Sequence, residues 1–139
     1  MKLSISVAAI ATTAVLLADS VSATIVDTCR MASGQKGEHI IFECLTYNRD
    51  WRWTKLWVSD CIGYDTTNER LVPKRSGFFY QRCKGVTYSD FWVKAHCQEK
   101  NGEWKYKEHH MGWMWNTNGY VFCFGHQLGY TGNVQSQPI

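Results

Sequence analysis

Cys44-Leu45-Thr46-Tyr47-Asn48-Arg49-Asp50-Trp51-Arg52-Trp53 and, 53 residues further on, Cys97-Gln98-Glu99-Lys100-Asn101-Gly102-Glu103-Trp104-Lys105-Tyr106 are one segment written twice. Cysteine, asparagine and tryptophan recur unchanged, while Asp50/Glu103, Arg52/Lys105 and Trp53/Tyr106 keep charge or ring, so six of the ten positions match. Outside this segment Ile40 meets Val93, and one residue of slippage sets Cys29 on Cys83, giving each copy a Cys-x13/14-Cys loop. A slip of three aligns Thr67-Asn68 with Thr117-Asn118 and Leu71-Val72 with Val121-Phe122. The chain therefore reads as two tandem copies, residues 29–82 and 83–126.

The copies read as strands. Residues 40–44, 78–80, 91–93 and 120–124 are short β-branched or aromatic runs, and no window of twelve shows helical periodicity. Trp51-Arg52-Trp53 and Trp104-Lys105-Tyr106 alternate ring and charge, as half-buried strands with the charged side in water. Asn101-Gly102 and Asn118-Gly119 are hairpin dipeptides, since both residues tolerate positive φ. The fold class expected is all-β: two pseudo-symmetric repeats in one small domain spanning 24–126, followed by a frayed polar tail over 127–139.

Met1-Lys2, an apolar run over residues 5–18 and Val21-Ser22-Ala23 have the form of a signal peptide over 1–23, which leaves a mature chain of 116 of the 139 residues. That run is too short for an ordinary membrane-spanning helix. All six cysteines follow it, an even number in a small exported chain, which points to three disulfides. Six cysteines allow 15 pairings. Duplication favours each copy closing its own loop, Cys29 with Cys44 and Cys83 with Cys97, leaving Cys61 and Cys123 to clamp one copy to the other. Cys-x-x-Cys is absent and the histidines lack zinc-finger spacing, so no metal or cofactor is expected. A net charge of +3 with scattered basic residues gives no footprint for nucleic acid. There is no Asn-x-Ser/Thr acceptor, and Lys74-Arg75, between the copies, has the form of a dibasic processing site or of an exposed charged linker.

Two copies of about 50 residues, each opening with Cys-x13/14-Cys and running into an Asn-Gly turn, resemble the cyanovirin-N homology family over most of the mature chain. Thr28-Cys29, Phe79-Tyr80-Gln81-Arg82-Cys83 and Lys94-Ala95-His96-Cys97 look like the family's strands entering cysteine. The resemblance implies repeats that exchange strands in one pseudo-two-fold domain, mannose-type glycan binding of the kind several members show, and a monomer or a strand-swapped dimer. Secreted fungal chains belong to the family, which makes a host-directed effector binding a host glycan or host protein the expected biology. The family's sugar contacts follow the second cysteine of each loop. Here those positions hold Leu45-Thr46-Tyr47 and Gln98-Glu99-Lys100, and the polar second set favours copy two.

Candidate ligand residues combine rings that stack on apolar sugar faces with side chains that bond hydroxyls: Trp113, Asn116, Asn118, Gln98 and Lys100. The catalytic alternative is a ribonuclease-like or other small hydrolase using His96, which stands at the position equivalent to Glu43, or His109-His110 with Glu108. His39 and Glu43, four apart on a strand, stand about 13 Å from each other and cannot act as a direct pair. With no nucleophile elbow, zinc-protease helix or phosphate loop, binding rather than catalysis is the expectation.

Overall fold

The computed structural model describes residues 23–124 and 130–133. The signal-like segment before Ala23 and the rest of the 127–139 stretch lie outside them. The first copy comprises β1 (Ala23–Thr24), one helical turn α1 (Ile25–Thr28), β2 (Cys29–Arg30), β3 (Gln35–Lys36), β4 (His39–Leu45), β5 (Trp51–Trp57), β6 (Ile62–Asp65) and β7 (Arg70–Pro73). A 3-10 turn (Phe79–Gln81) closes the first copy, and the second comprises β8 (Cys83–Ser89), β9 (Trp92–Gln98), β10 (Trp104–His110), β11 (Trp115–Thr117) and β12 (Tyr120–Phe122). Adding 53 to the bounds of β4 and β5 reproduces those of β9 and β10. Within the connecting turns, Thr46 N–H bonds the Asp50 carbonyl at 2.8 Å and Glu99 N–H that of Glu103 at 2.8 Å.

The copies interleave. β1 pairs antiparallel with β11 and β3 with β8, so the first copy supplies strands to the second. One four-stranded sheet runs β10-β9-β8-β3, and another runs β5-β4-β2 with a further strand, β13 (Tyr130–Asn133), on the outer side of β5. Alternation decides what each strand buries. Ile40, Phe42 and Cys44 point into the core from β4, and their equivalents Val93, Ala95 and Cys97 do so from β9. Tyr88 is fully buried, and its hydroxyl donates to the Gly37 carbonyl at 2.6 Å and meets the Tyr80 hydroxyl at 2.9 Å. Burial pushes the Tyr80 phenol up to about 12 and that of Tyr88 higher still.

Cys29 stands opposite Cys44 in the β2–β4 register and Cys83 opposite Cys97 in β8–β9, and both pairs are bonded. Cys61 bonds Cys123 across the copies over a separation of 62 residues. The sequence-based pairing is the observed one.

Four sequence-based expectations are corrected. On β5 the rings, not the charge, face outward, whereas on β10 Trp104, Lys105 and Tyr106 are all exposed. Thr54 and Leu56 on β5 are buried, which places Arg52 on the core-facing side and Trp51 and Trp53 on the outer side. Arg30 stacks over Trp51 at 3.9 Å, and in the second copy Lys84 stacks over Trp104 at 4.1 Å. Residues 78–80 are not a strand: Phe78 is left-handed at φ 46°, and a 3-10 turn follows that inserts Phe79 into the core. Gly77 packs so tightly on Gly63 that no side chain fits, and this fixes the sharp crossing between copies. The strand expected over 120–124 ends at Phe122, where Cys123 leaves for its disulfide. Residues 130–133, expected in a frayed tail, pair with β5 from Lys55 to Arg52.

Candidate functional site

The two copies end in equivalent corners, each made where the β4–β5 or β9–β10 turn meets a hairpin contributed by the other copy. At the first corner, Tyr47 N–H bonds Asn118 Oδ1 at 2.9 Å, and at the second, Lys100 N–H bonds Glu69 Oε1 at 2.8 Å. Tyr47 and Lys100 are 53 residues apart, and Asn118 and Glu69 both adopt positive φ.

The first corner holds a cavity of about 390 Å³, lined by Ala23, Thr28, Leu45, Thr46, Tyr47, Arg49, Asn116 and Asn118. Asn116 is its framework. Buried at 5% exposure, it donates from Nδ2 to Thr28 Oγ1 at 2.9 Å and to the Leu45 carbonyl at 3.0 Å, and it accepts from Gly119 N–H at 2.8 Å. Asn118 and Gly119 form the two-residue turn between β11 and β12, both with positive φ, as the dipeptide predicts. Their carbonyls are held from β5: Arg52 donates to that of Asn118 at 3.2 Å and Thr54 to that of Gly119 at 3.1 Å. Tyr47 is 55% exposed, giving the cavity a solvent-facing ring beside an amide and hydroxyls.

The second corner is tied together instead. Lys100 Nζ donates to the Thr67 carbonyl at 3.3 Å, and Glu99 receives Lys107 at 2.9 Å and Lys105 at 3.2 Å. The hydrogen bond from Lys107, reinforced by Lys105, holds the Glu99 carboxyl below its ordinary pKa. Asp65 is also held low, by hydrogen bonds from Asn68 and then Thr67 that form the β6–β7 turn.

The five candidate ligand residues fall in three places. Asn116 and Asn118 line the first cavity, Gln98 and Lys100 belong to the second corner, and Trp113 stands apart from both. Gln98 Nε2 donates to the Gly102 carbonyl at 3.3 Å, and Trp113 Nε1 donates to His109 Nε2 at 2.8 Å while packing on Phe124. The cavity lies at copy one, whereas the sequence favoured copy two. Tyr47 and Arg49 were missed, since their neighbours in space lie some 70 residues away in the chain. The one local signal was Arg49 aligned on Gly102.

The residues of the hydrolase alternative are engaged separately. Glu43 is ion-paired with Arg30, His96 packs edge-on against Tyr106, and Glu108 accepts from the Tyr106 hydroxyl at 2.9 Å. His109 accepts from Trp113, and burial followed by the charge of His110 lowers its pKa. His110 Nδ1 accepts from Gly112 N–H at 3.1 Å. Among the described residues no three His, Cys, Asp or Glu side chains are grouped to hold a metal, and no helix is long and apolar enough to cross a membrane. In the linker, Lys74 and Arg75 are exposed, with Lys74 N–H on the Cys61 carbonyl and Arg75 on that of Phe124.

These features define a class: a disulfide-clamped, strand-exchanged all-β duplication with a polar corner at each end. No family model matches the chain, and no curated protein matches it in sequence. Solved structures do. A designed cyanovirin-N homolog lectin is 17% identical with a TM-score of 0.61, and a cyanovirin-N homolog of T. borchii is 16% identical with a TM-score of 0.57; each match covers 72% of this chain and 98% of the other. Microvirin in complex with mannobiose is 23% identical over 64% of this chain and 86% of its own, with a TM-score of 0.46. The chain has the cyanovirin-N homolog fold.

Proposed function

We propose that this protein is an exported, non-catalytic glycan-binding protein whose site is the first-corner cavity. The observation that carries the reading is the lining of that cavity: an exposed tyrosine ring beside Asn118, Thr46 and Arg49, on a floor fixed by the fully bonded Asn116. A pyranose presents apolar C–H faces and a rim of hydroxyls, so it needs a ring to cover it and polar groups held in advance. Asn118 spends its Oδ1 on Tyr47, which locks the side chain before any ligand arrives. The lectin character of the designed homolog sharing the fold supports the reading, and three disulfides suit an oxidising compartment. A host-directed effector would use the same cavity on host glycans.

The test is a glycan array with titration of the oxidised chain and of Y47A and N118A variants. Sugar-competable binding that both substitutions weaken at least tenfold is the expected result. A folded, fully disulfide-bonded sample that binds no glycan overturns the proposal and makes a host protein the ligand to seek.

A further inference from the structure

Arg49 stands in the cavity at φ 68°, a left-handed conformation that favours glycine. The same turn in the second copy places Gly102 there, at φ 86°. The turns are otherwise alike: Arg49 N–H bonds the Thr46 carbonyl at 3.0 Å and Gly102 N–H that of Glu99 at 2.9 Å. The first copy therefore carries a long cationic side chain where its own duplicate shows that glycine suffices, and strain of this kind persists where a site uses it. Among the described residues the Arg49 guanidinium has no ion pair. The adjacent Asp50 carboxylate makes no ion pair with it, and Glu43 is taken by Arg30. An exposed arginine without a carboxylate, on a cavity that already offers an amide and hydroxyls, is a fork of donors suited to a planar or tetrahedral anion.

Resting on the glycan-binding reading above, we propose that this cavity selects acidic glycans, with Arg49 receiving the anionic group while Tyr47 and Asn118 receive the sugar that bears it. A uronic carboxylate, a sulfate ester and a phosphate ester share the required chemistry.

The experiment titrates the oxidised chain with oligogalacturonate, a heparin-type sulfated oligosaccharide, a phosphomannan and neutral mannan, at low and high salt. The variants are R49G, R49K and R70Q, the last removing an exposed arginine on β7 far from the cavity, as a control for net charge. The expected result is a preference for one acidic probe over mannan, weakened by salt. Its affinity falls roughly ten- to hundredfold in R49G, less in R49K, and stays unchanged in R70Q. The probe that binds identifies the acid. Neutral mannan bound by the wild-type chain as tightly as every acidic probe, with acidic-probe affinity unchanged in R49G, overturns this inference and leaves glycan binding standing. No binding of any probe by a folded sample overturns both, and equal losses in R49G and R70Q reduce the effect to bulk charge and overturn the assignment to Arg49. R49G takes the residue its own duplicate uses, and R49K provides a second reading should R49G fold poorly.

Discussion

The two corners of this molecule descend from one sequence and have come to opposite solutions. Shifting by 53 maps Thr46 to Glu99, Arg49 to Gly102, Arg52 to Lys105 and Thr54 to Lys107. In the first corner the hairpin carbonyls are held by Arg52 and Thr54, and Asn116 props a cavity open. In the second, Glu99 gathers both lysines. The second corner also leaves the Tyr64 hydroxyl and Arg82 Nε buried without a partner among the described residues, whereas Asn116 satisfies the first corner's interior. One scaffold thus offers an open corner and a braced corner, with the difference confined to a few side chains around turns of equal backbone.

The comparison can be broken in graded ways. The largest effect is expected from the C61S/C123S double variant, which unties the copies: a loop of this length contributes roughly 3–4 kcal/mol, read as a fall in the urea midpoint. N116A follows. It strips three hydrogen bonds from a buried framework and is expected to cost about 2–3 kcal/mol in urea unfolding, with loss of any ligand affinity.

Acid separates the corners next. The carboxyl of Glu99 has a depressed pKa, so its contribution is present above the ordinary carboxylate range and is lost as pH falls through the folded value. In E99Q the share of the low-pH loss due to Glu99 should disappear from a thermal-midpoint profile, leaving the share due to Asp65. A second loss should remain in both proteins, beginning as pH drops below the ordinary imidazole value, because the folded state holds His109 neutral while the unfolded chain protonates. The smallest effect is expected from R49G, a gain of about 0.5–1 kcal/mol on relief of the left-handed backbone, read by the same urea series. A destabilised R49G would show that Arg49 braces its corner as Glu99 braces the other.

Much of the fold was legible because the duplication writes its own alignment: repeats, disulfides and Asn-Gly turns all follow from spacing. What stayed hidden depends on which face of a strand meets the core. Ring and charge alternate equally well in either orientation along Trp51-Arg52-Trp53, and only the burial of Thr54 and Leu56 two and four residues after Arg52 decides that the arginine side faces inward. Phe78 defied its β propensity because the close contact of Gly77 with Gly63 forces a turn there. The site was half legible. Asn116 and Asn118 stood out as polar residues among aromatics, but the cavity needs Tyr47 and Arg49 from the opposite copy, and Leu45-Thr46-Tyr47 looked too apolar beside Gln98-Glu99-Lys100. The longer polar side chains of the second set are the ones that brace their own corner.

The strand exchange also sets the order of assembly during synthesis. Ala23 and Thr24 pair with Asn116 and Trp115, residues made more than ninety positions later. The opening strand leaves the ribosome early and must wait, unpaired, until nearly the whole chain has emerged. Contacts of such separation slow folding and keep strand edges open in the meantime. A nascent chain stalled before β11 therefore carries a first copy that cannot close, and in crowded synthesis the nearest waiting edge belongs to another molecule of the same kind.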